Sequence, residues 1–68
     1  MSKMGVLIFL ATCKWVGEQT LFRKFSEESV IALLNTGAIK RRWKSDPLFA
    51  EYEYAITDKG KLLLEHNV

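Results

Sequence analysis

Hydrophobic and polar positions change period twice along this chain. Up to residue 36 the apolar side chains recur at helical spacing, from 38 to 56 they alternate, and after 57 helical spacing returns. Met4, Leu7, Ile8 and Ala11 fall at i, i+3, i+4 and i+7, which predicts a first short helix. Gly5 works against it, and Val6, Ile8 and Phe9 leave a buried strand as the alternative. Phe9 and Leu10 widen the apolar face, so this element needs cover on more than one side or from a partner chain. Residues 14–17 read as a connector, with Trp15 expected to fold back and plug the core, the alternative being an exposed tryptophan that meets a partner.

Residues 18–25 predict a second helix, with Leu21, Phe22 and Phe25 on one side and Arg23 and Lys24 on the other. Ser26 then reads as an N-cap, its hydroxyl accepting a first-turn amide. Glu27 and Glu28 follow in the turn where the helix dipole favours anions. Val30, Ile31, Leu33 and Leu34 give the buried face of this third helix, and Gly37 suits the left-handed position that ends it.

Over 38–44 the period is two, with Ile39, Arg41 and Trp43 on one face and Lys40, Arg42 and Lys44 on the other. Over 51–56, Tyr52, Tyr54 and Ile56 oppose Glu51, Glu53 and Ala55. Asp46 and Pro47 mark a turn between the runs, which predicts a hairpin with a loop of about six residues. One register satisfies both faces. Ile39 meets Ile56, Arg41 meets Tyr54 and Trp43 meets Tyr52, while Arg42 meets Glu53 and Lys44 meets Glu51. Each aromatic or opposite-charge pair contributes about 0.2–1 kcal/mol, and a one-residue slip would turn Trp43 away from the core. Thr57 caps a last helix, with Asp58 in its first turn and Leu62, Leu63 and Leu64 as its apolar stripe. Gly60 inside that helix costs about 1 kcal/mol relative to alanine, which implies a close neighbour.

Composition narrows the class. Sixty-eight residues, 49% of them hydrophobic, make one domain spanning 1–68. A domain this small buries roughly 60% of its unfolded surface, so its aromatic side chains or self-association must supplement a thin core. The net charge of +2 is compatible with nucleic acid without demanding it. The cations are concentrated, however, with Lys40, Arg41, Arg42 and Lys44 in one short run. A single cysteine, Cys13, precludes an internal disulfide and points to a reducing cytoplasm; it is expected to be a small buried hydrophobe. The apolar run 6–11 is too short to span a bilayer and lacks a small-residue cleavage pattern, so no membrane or targeting role is expected. No enzyme or cofactor is expected either. His66 is the only histidine and lies near the end of the last helix, Cys13 has no base to activate it, and no phosphate loop or metal-ligand cluster is present.

The run Leu34-Asn35-Thr36-Gly37-Ala38-Ile39-Lys40-Arg41-Arg42, followed by Tyr54-Ala55-Ile56-Thr57-Asp58-Lys59-Gly60, resembles winged helix-turn-helix domains of the MarR-type and PadR-type bacterial regulators. The likeness covers about residues 26–64, with Ile56 where those families usually carry leucine. It implies an α+β fold of three helices, a two-stranded antiparallel wing and a C-terminal helix. It also implies that residues 26–36 occupy the recognition-helix position and residues 45–50 the wing, in a small transcriptional regulator or accessory protein that binds duplex DNA.

In that reading Lys40, Arg42 and Lys44 contact phosphates, and Arg41 joins them or stacks on Tyr54. Ser29, Ala32 and Asn35 face the groove, and Arg23 and Lys24 hold the flanking backbone. The plain alternative for the basic run is a solvated strand face balanced by Glu51 and Glu53. A competing function is a protein-interaction module, because Glu27 and Glu28 open the third helix and the hairpin loop carries Leu48 and Phe49 but no cation. Those two apolar residues either fold beneath the hairpin or form an exposed contact for a protein partner. A third reading has the apolar first helix completing a homodimer core.

Overall fold

The computed structural model describes residues 3–66. In chain order it contains α1 (Lys3–Ala11), β1 (Val16–Gly17), α2 (Glu18–Lys24), α3 (Glu27–Thr36), β2 (Ile39–Lys44), β3 (Glu51–Ile56) and α4 (Asp58–His66). The fold is α+β, with four helices against one antiparallel sheet of order β1-β3-β2. The sheet therefore has three strands rather than the expected two. Val16 and Gly17, read as part of a connector, pair with Tyr54 and Glu53 on the open edge of β3. Two residues are too few to display alternation, which is why the period gave no sign of this strand.

The β2–β3 register is the one argued from facing side chains, from Ile39 opposite Ile56 through Lys44 opposite Glu51. Trp43 and Tyr52 meet edge to face with ring centroids 5.0 Å apart. At the loop, the Leu48 N–H donates to Asp46 Oδ1 (2.9 Å) and the Phe49 N–H to the Asp46 carbonyl (3.1 Å). Aspartate opening a four-residue turn with proline second is the chemistry a tight turn selects.

Local signals set the helix ends. The Ser26 hydroxyl accepts from the Ser29 N–H at 3.2 Å, as an N-cap should. Gly37 closes α3 at φ 81°, a conformation that would strain any side chain. Thr57 Oγ1 accepts from the Gly60 N–H (3.1 Å) and donates to the Gly37 carbonyl (2.6 Å), tying the start of α4 to the end of α3. The Lys59 ammonium adds a bond to the Thr36 carbonyl at 2.7 Å. Gly60 is buried with its α-carbon over the Ala38 carbonyl and Ile56, which is the close neighbour its place in a helix implied. The second helix stops at Lys24, one residue early, and Phe25 is its extended C-cap.

Val6, Leu7, Leu10, Leu21, Val30, Leu33, Ile39 and Tyr54 form the centre of the core. The first helix is present but turned from the expected face. Val6, Leu7 and Leu10 are buried, while Ile8 and Ala11 are exposed. That helix is apolar nearly all round, so spacing could not choose between faces. In α4, Leu63 and Leu64 pack on the core but Leu62 is half exposed. Trp15 does not plug the core; it lies half-buried on the outer face of the sheet. Cys13 is half-buried rather than enclosed.

Candidate nucleic-acid interface

Alternation on β2 splits the basic run between two faces of the sheet. Lys40, Arg42 and Lys44 stand together on the outer face and are all exposed. Trp15, entering on the neighbouring side of β3, forms their platform. The Arg42 guanidinium lies 3.9 Å from its ring centroid and the Lys40 ammonium 5.6 Å. Such contacts contribute about 0.5–1 kcal/mol each at exposed sites and hold long side chains in place. The seat of Trp15 beneath these cations was not legible in sequence, because its partners come from a strand 25 or more positions further on.

Carboxylates take part of this charge. Arg42 Nε donates to Glu53 Oε1 at 3.0 Å, and Lys44 Nζ lies 3.7 Å from Glu53 Oε2. Lys44 thus pairs diagonally with Glu53 and not with Glu51, the residue directly opposite. Glu51 is engaged elsewhere, its Oε1 accepting the Gln19 N–H at the start of α2 (3.1 Å) while its carboxylate fills the space over Gly17. Both cations of the Glu53 pairs are more than half exposed, so each pair contributes little to stability, about 0–1 kcal/mol. Lys40 has no carboxylate within ion-pair distance among the described residues.

Arg41 belongs to the inner face. Its guanidinium sits 4.2 Å from the Tyr52 ring centroid, so the stacking partner is Tyr52 and not Tyr54. The Tyr54 hydroxyl beside it raises its already high pKa; desolvation acts against this, and the charges of Tyr52, Tyr54 and Glu18 add to the rise. The Tyr54 hydroxyl in turn donates to Glu18 Oε2 at 3.1 Å. Burial pushes the Tyr54 phenol above its ordinary value, and the Glu18 bond and charge add to that. The Tyr54–Glu18 bond ties the hairpin to α2, and alternation along β2 sets Arg41 on the opposite face from Lys40, Arg42 and Lys44.

The remaining candidates do not join that row. Arg23 and Lys24 are exposed at the end of α2, with Lys24 lying 5.4 Å from the Phe9 ring centroid. On α3, Ala32 and Asn35 line a shallow open groove of about 410 Å³ together with Glu27, Glu28 and Ile31. Ser29 is outside that lining, and its hydroxyl accepts from Ser26 Oγ at 2.9 Å. The face that would read a DNA groove thus carries two carboxylates and no cation. At the turn, Leu48 is 95% exposed and Phe49 46%, so neither folds beneath the hairpin.

Among the described residues no group of three or more His, Cys, Asp or Glu is placed to hold a metal, and no helix is long and apolar enough to cross a membrane. Comparison with protein-family models, curated proteins and solved structures finds no match.

Proposed function

We propose that this chain is a winged-helix domain that binds duplex DNA through its phosphate backbone, as an accessory factor more than as a reader of sequence. The observation that carries the reading is the exposed row Lys40, Arg42 and Lys44 on one strand face, with the first two seated on Trp15. Three cations at a two-residue strand repeat, roughly 6.6 Å apart, present a line of charge to a phosphate backbone. The third strand is an addition to the two-stranded wing the resemblance implies; it joins the free edge of β3 and leaves the helix–helix–hairpin order unchanged. Glu27 and Glu28 argue against insertion of α3 into a groove, because they would face phosphates across it. Binding is then electrostatic and tolerant of sequence.

The test is a titration of a mixed-sequence duplex at several salt concentrations. Engagement of three phosphates gives a slope of log K against log salt near −2.7, from about −0.9 per phosphate. Replacing Lys40, Arg42 and Lys44 together by alanine abolishes the binding. Undetectable binding at low salt would defeat the DNA reading, and binding that survives the triple substitution would defeat the choice of residues.

A second reading, a protein-interaction module, is favoured by one observation of its own. The α3 groove combines Ile31 and Ala32 with two carboxylates, and Leu48 is almost fully exposed at the turn. Protein surfaces are matched by such mixed apolar and charged patches more readily than nucleic acid is.

A further inference from the structure

Two surfaces of this chain are unsatisfied in opposite senses. The hairpin ends in an apolar tip, with Leu48 95%, Trp43 58% and Phe49 46% exposed. Behind that tip run Lys40, Arg42 and Lys44, whose charge Glu53 only partly offsets. The open face of α3 has the complementary character, with half-buried Ile31 and Ala32 beside the exposed Glu27 and Glu28. No cation is within ion-pair distance of either glutamate among the described residues. The dimensions agree. Six strand residues extend about 20 Å and ten helical residues about 15 Å, so a hairpin can lie along α3 over most of its length. A chain this small gains more than most from covering such patches.

We propose that the occupant of the α3 groove is the hairpin of a second copy of this chain, in a symmetric dimer where each copy gives its hairpin and receives its partner's. Leu48 and Phe49 meet Ile31 and Ala32, and the basic strand faces Glu27 and Glu28. Reciprocity matters because a stable interface buries about 1,600 Å² in total, more than one hairpin tip supplies, and two equivalent contacts double the area. The inference does not rest on the DNA reading. If both hold, a hairpin engaged by its partner cannot contact phosphate, and DNA and the second copy compete.

The experiment is sedimentation equilibrium of the full chain from about 5 to 500 micromolar, at low and high salt, with folding of each variant checked by circular dichroism. Wild type dimerises, more weakly at high salt. Leu48→Ser with Phe49→Ser, at exposed positions that leave the core intact, gives a monomer. Glu27→Lys with Glu28→Lys weakens self-association by at least about tenfold through like-charge repulsion, and so does Lys40→Glu with Lys44→Glu. Mixing those two charge-reversed chains restores a dimer, because each hairpin then meets an α3 face of predominantly opposite sign. A monomer at all concentrations would overturn the proposal. So would a dimer insensitive to the Leu48 and Phe49 changes, or charge-reversed chains that stay monomeric when mixed. A dimer that keeps its full strength when Lys40, Arg42 and Lys44 are all replaced by alanine would likewise overturn the pairing of the basic strand with Glu27 and Glu28.

Discussion

A single methyl group at residue 60 is the sharpest probe of how α4 is seated. A Cβ on Gly60 would overlap the Ala38 carbonyl oxygen and approach Ile56 Cγ1 to 2.7 Å. The isoleucine can rotate, but the carbonyl cannot retreat. It accepts the Thr57 N–H at 3.1 Å, and the Ala38 N–H donates to the Leu33 carbonyl at 3.0 Å. Helix propensity favours alanine by up to about 1 kcal/mol. Against that stand overpacking, about 1–3 kcal/mol, and the bond lost if the carbonyl moves, about 0.5–1.5 kcal/mol. The net expectation for Gly60→Ala is a loss of about 1–3 kcal/mol, a large part of the roughly 3–10 kcal/mol available to a domain of this length. At about 4–8 °C per kcal/mol, thermal unfolding followed by circular dichroism should show Tm falling by at least about 5 °C. Gly5→Ala is the control. The atom nearest its new Cβ is Cε1 of the Phe25 side chain, at 3.3 Å, which can swing aside. Its Tm should be unchanged or raised. A Gly60→Ala protein as stable as wild type would refute the close seating of α4.

Three further outcomes follow from the sheet. Glu53→Gln releases Arg42 and Lys44 from their shared carboxylate, so duplex binding measured by fluorescence anisotropy tightens and its salt dependence steepens, while stability changes by less than about 2 kcal/mol, from two pairs of about 0–1 kcal/mol each. Unchanged affinity would mean that these cations do not meet phosphate. Tyr54, whose phenol is raised mainly by burial, holds its proton more tightly folded than unfolded. Its contribution is therefore complete below the ordinary value of 10.0 and is lost as pH rises through the higher folded value. Urea melts should show that alkaline loss in wild type and a smaller one in Tyr54→Phe. Trp15→Ala removes the platform under Arg42 and Lys40 and should cost about 1–2 kcal/mol in the same assay, from two contacts of about 0.5–1 kcal/mol each; no loss would mean the stacking is incidental.

What could be read in advance was whatever neighbours in sequence decide. Ser26, Gly37 and Thr57 announced their caps because a cap is a contact within one turn. The β2–β3 register was legible because a hairpin brings together residues whose pairing is fixed by one short loop. The orientation of α1 was not, since Val6, Leu7, Ile8, Phe9 and Leu10 offer apolar surface in every direction and only the neighbouring elements choose. Trp15 went astray for a related reason. A tryptophan after a helix has two apolar destinations, and the outer one existed only once β1 had been added beside β3. Within the candidate site, alternation placed Lys40, Arg42 and Lys44 on one face. It could not show that Glu51 is drawn away to α2, leaving Glu53 to serve two cations.

That diversion of Glu51 makes one helix depend on a strand far away in sequence. Helices α3 and α4 carry their own N-caps, Ser26 and Thr57, and can begin locally. Helix α2 has only seven residues and starts at Gly17, which offers no side chain to its first turn. The acceptor it uses is Glu51, 32 positions beyond Gln19. A helix this short is unstable alone, so α2 has no reason to persist until β3 has paired and delivered that carboxylate. The stability of α2 is thereby tied to the pairing of β3, and Glu51→Ala should loosen the start of α2, read as faster amide exchange at Gln19.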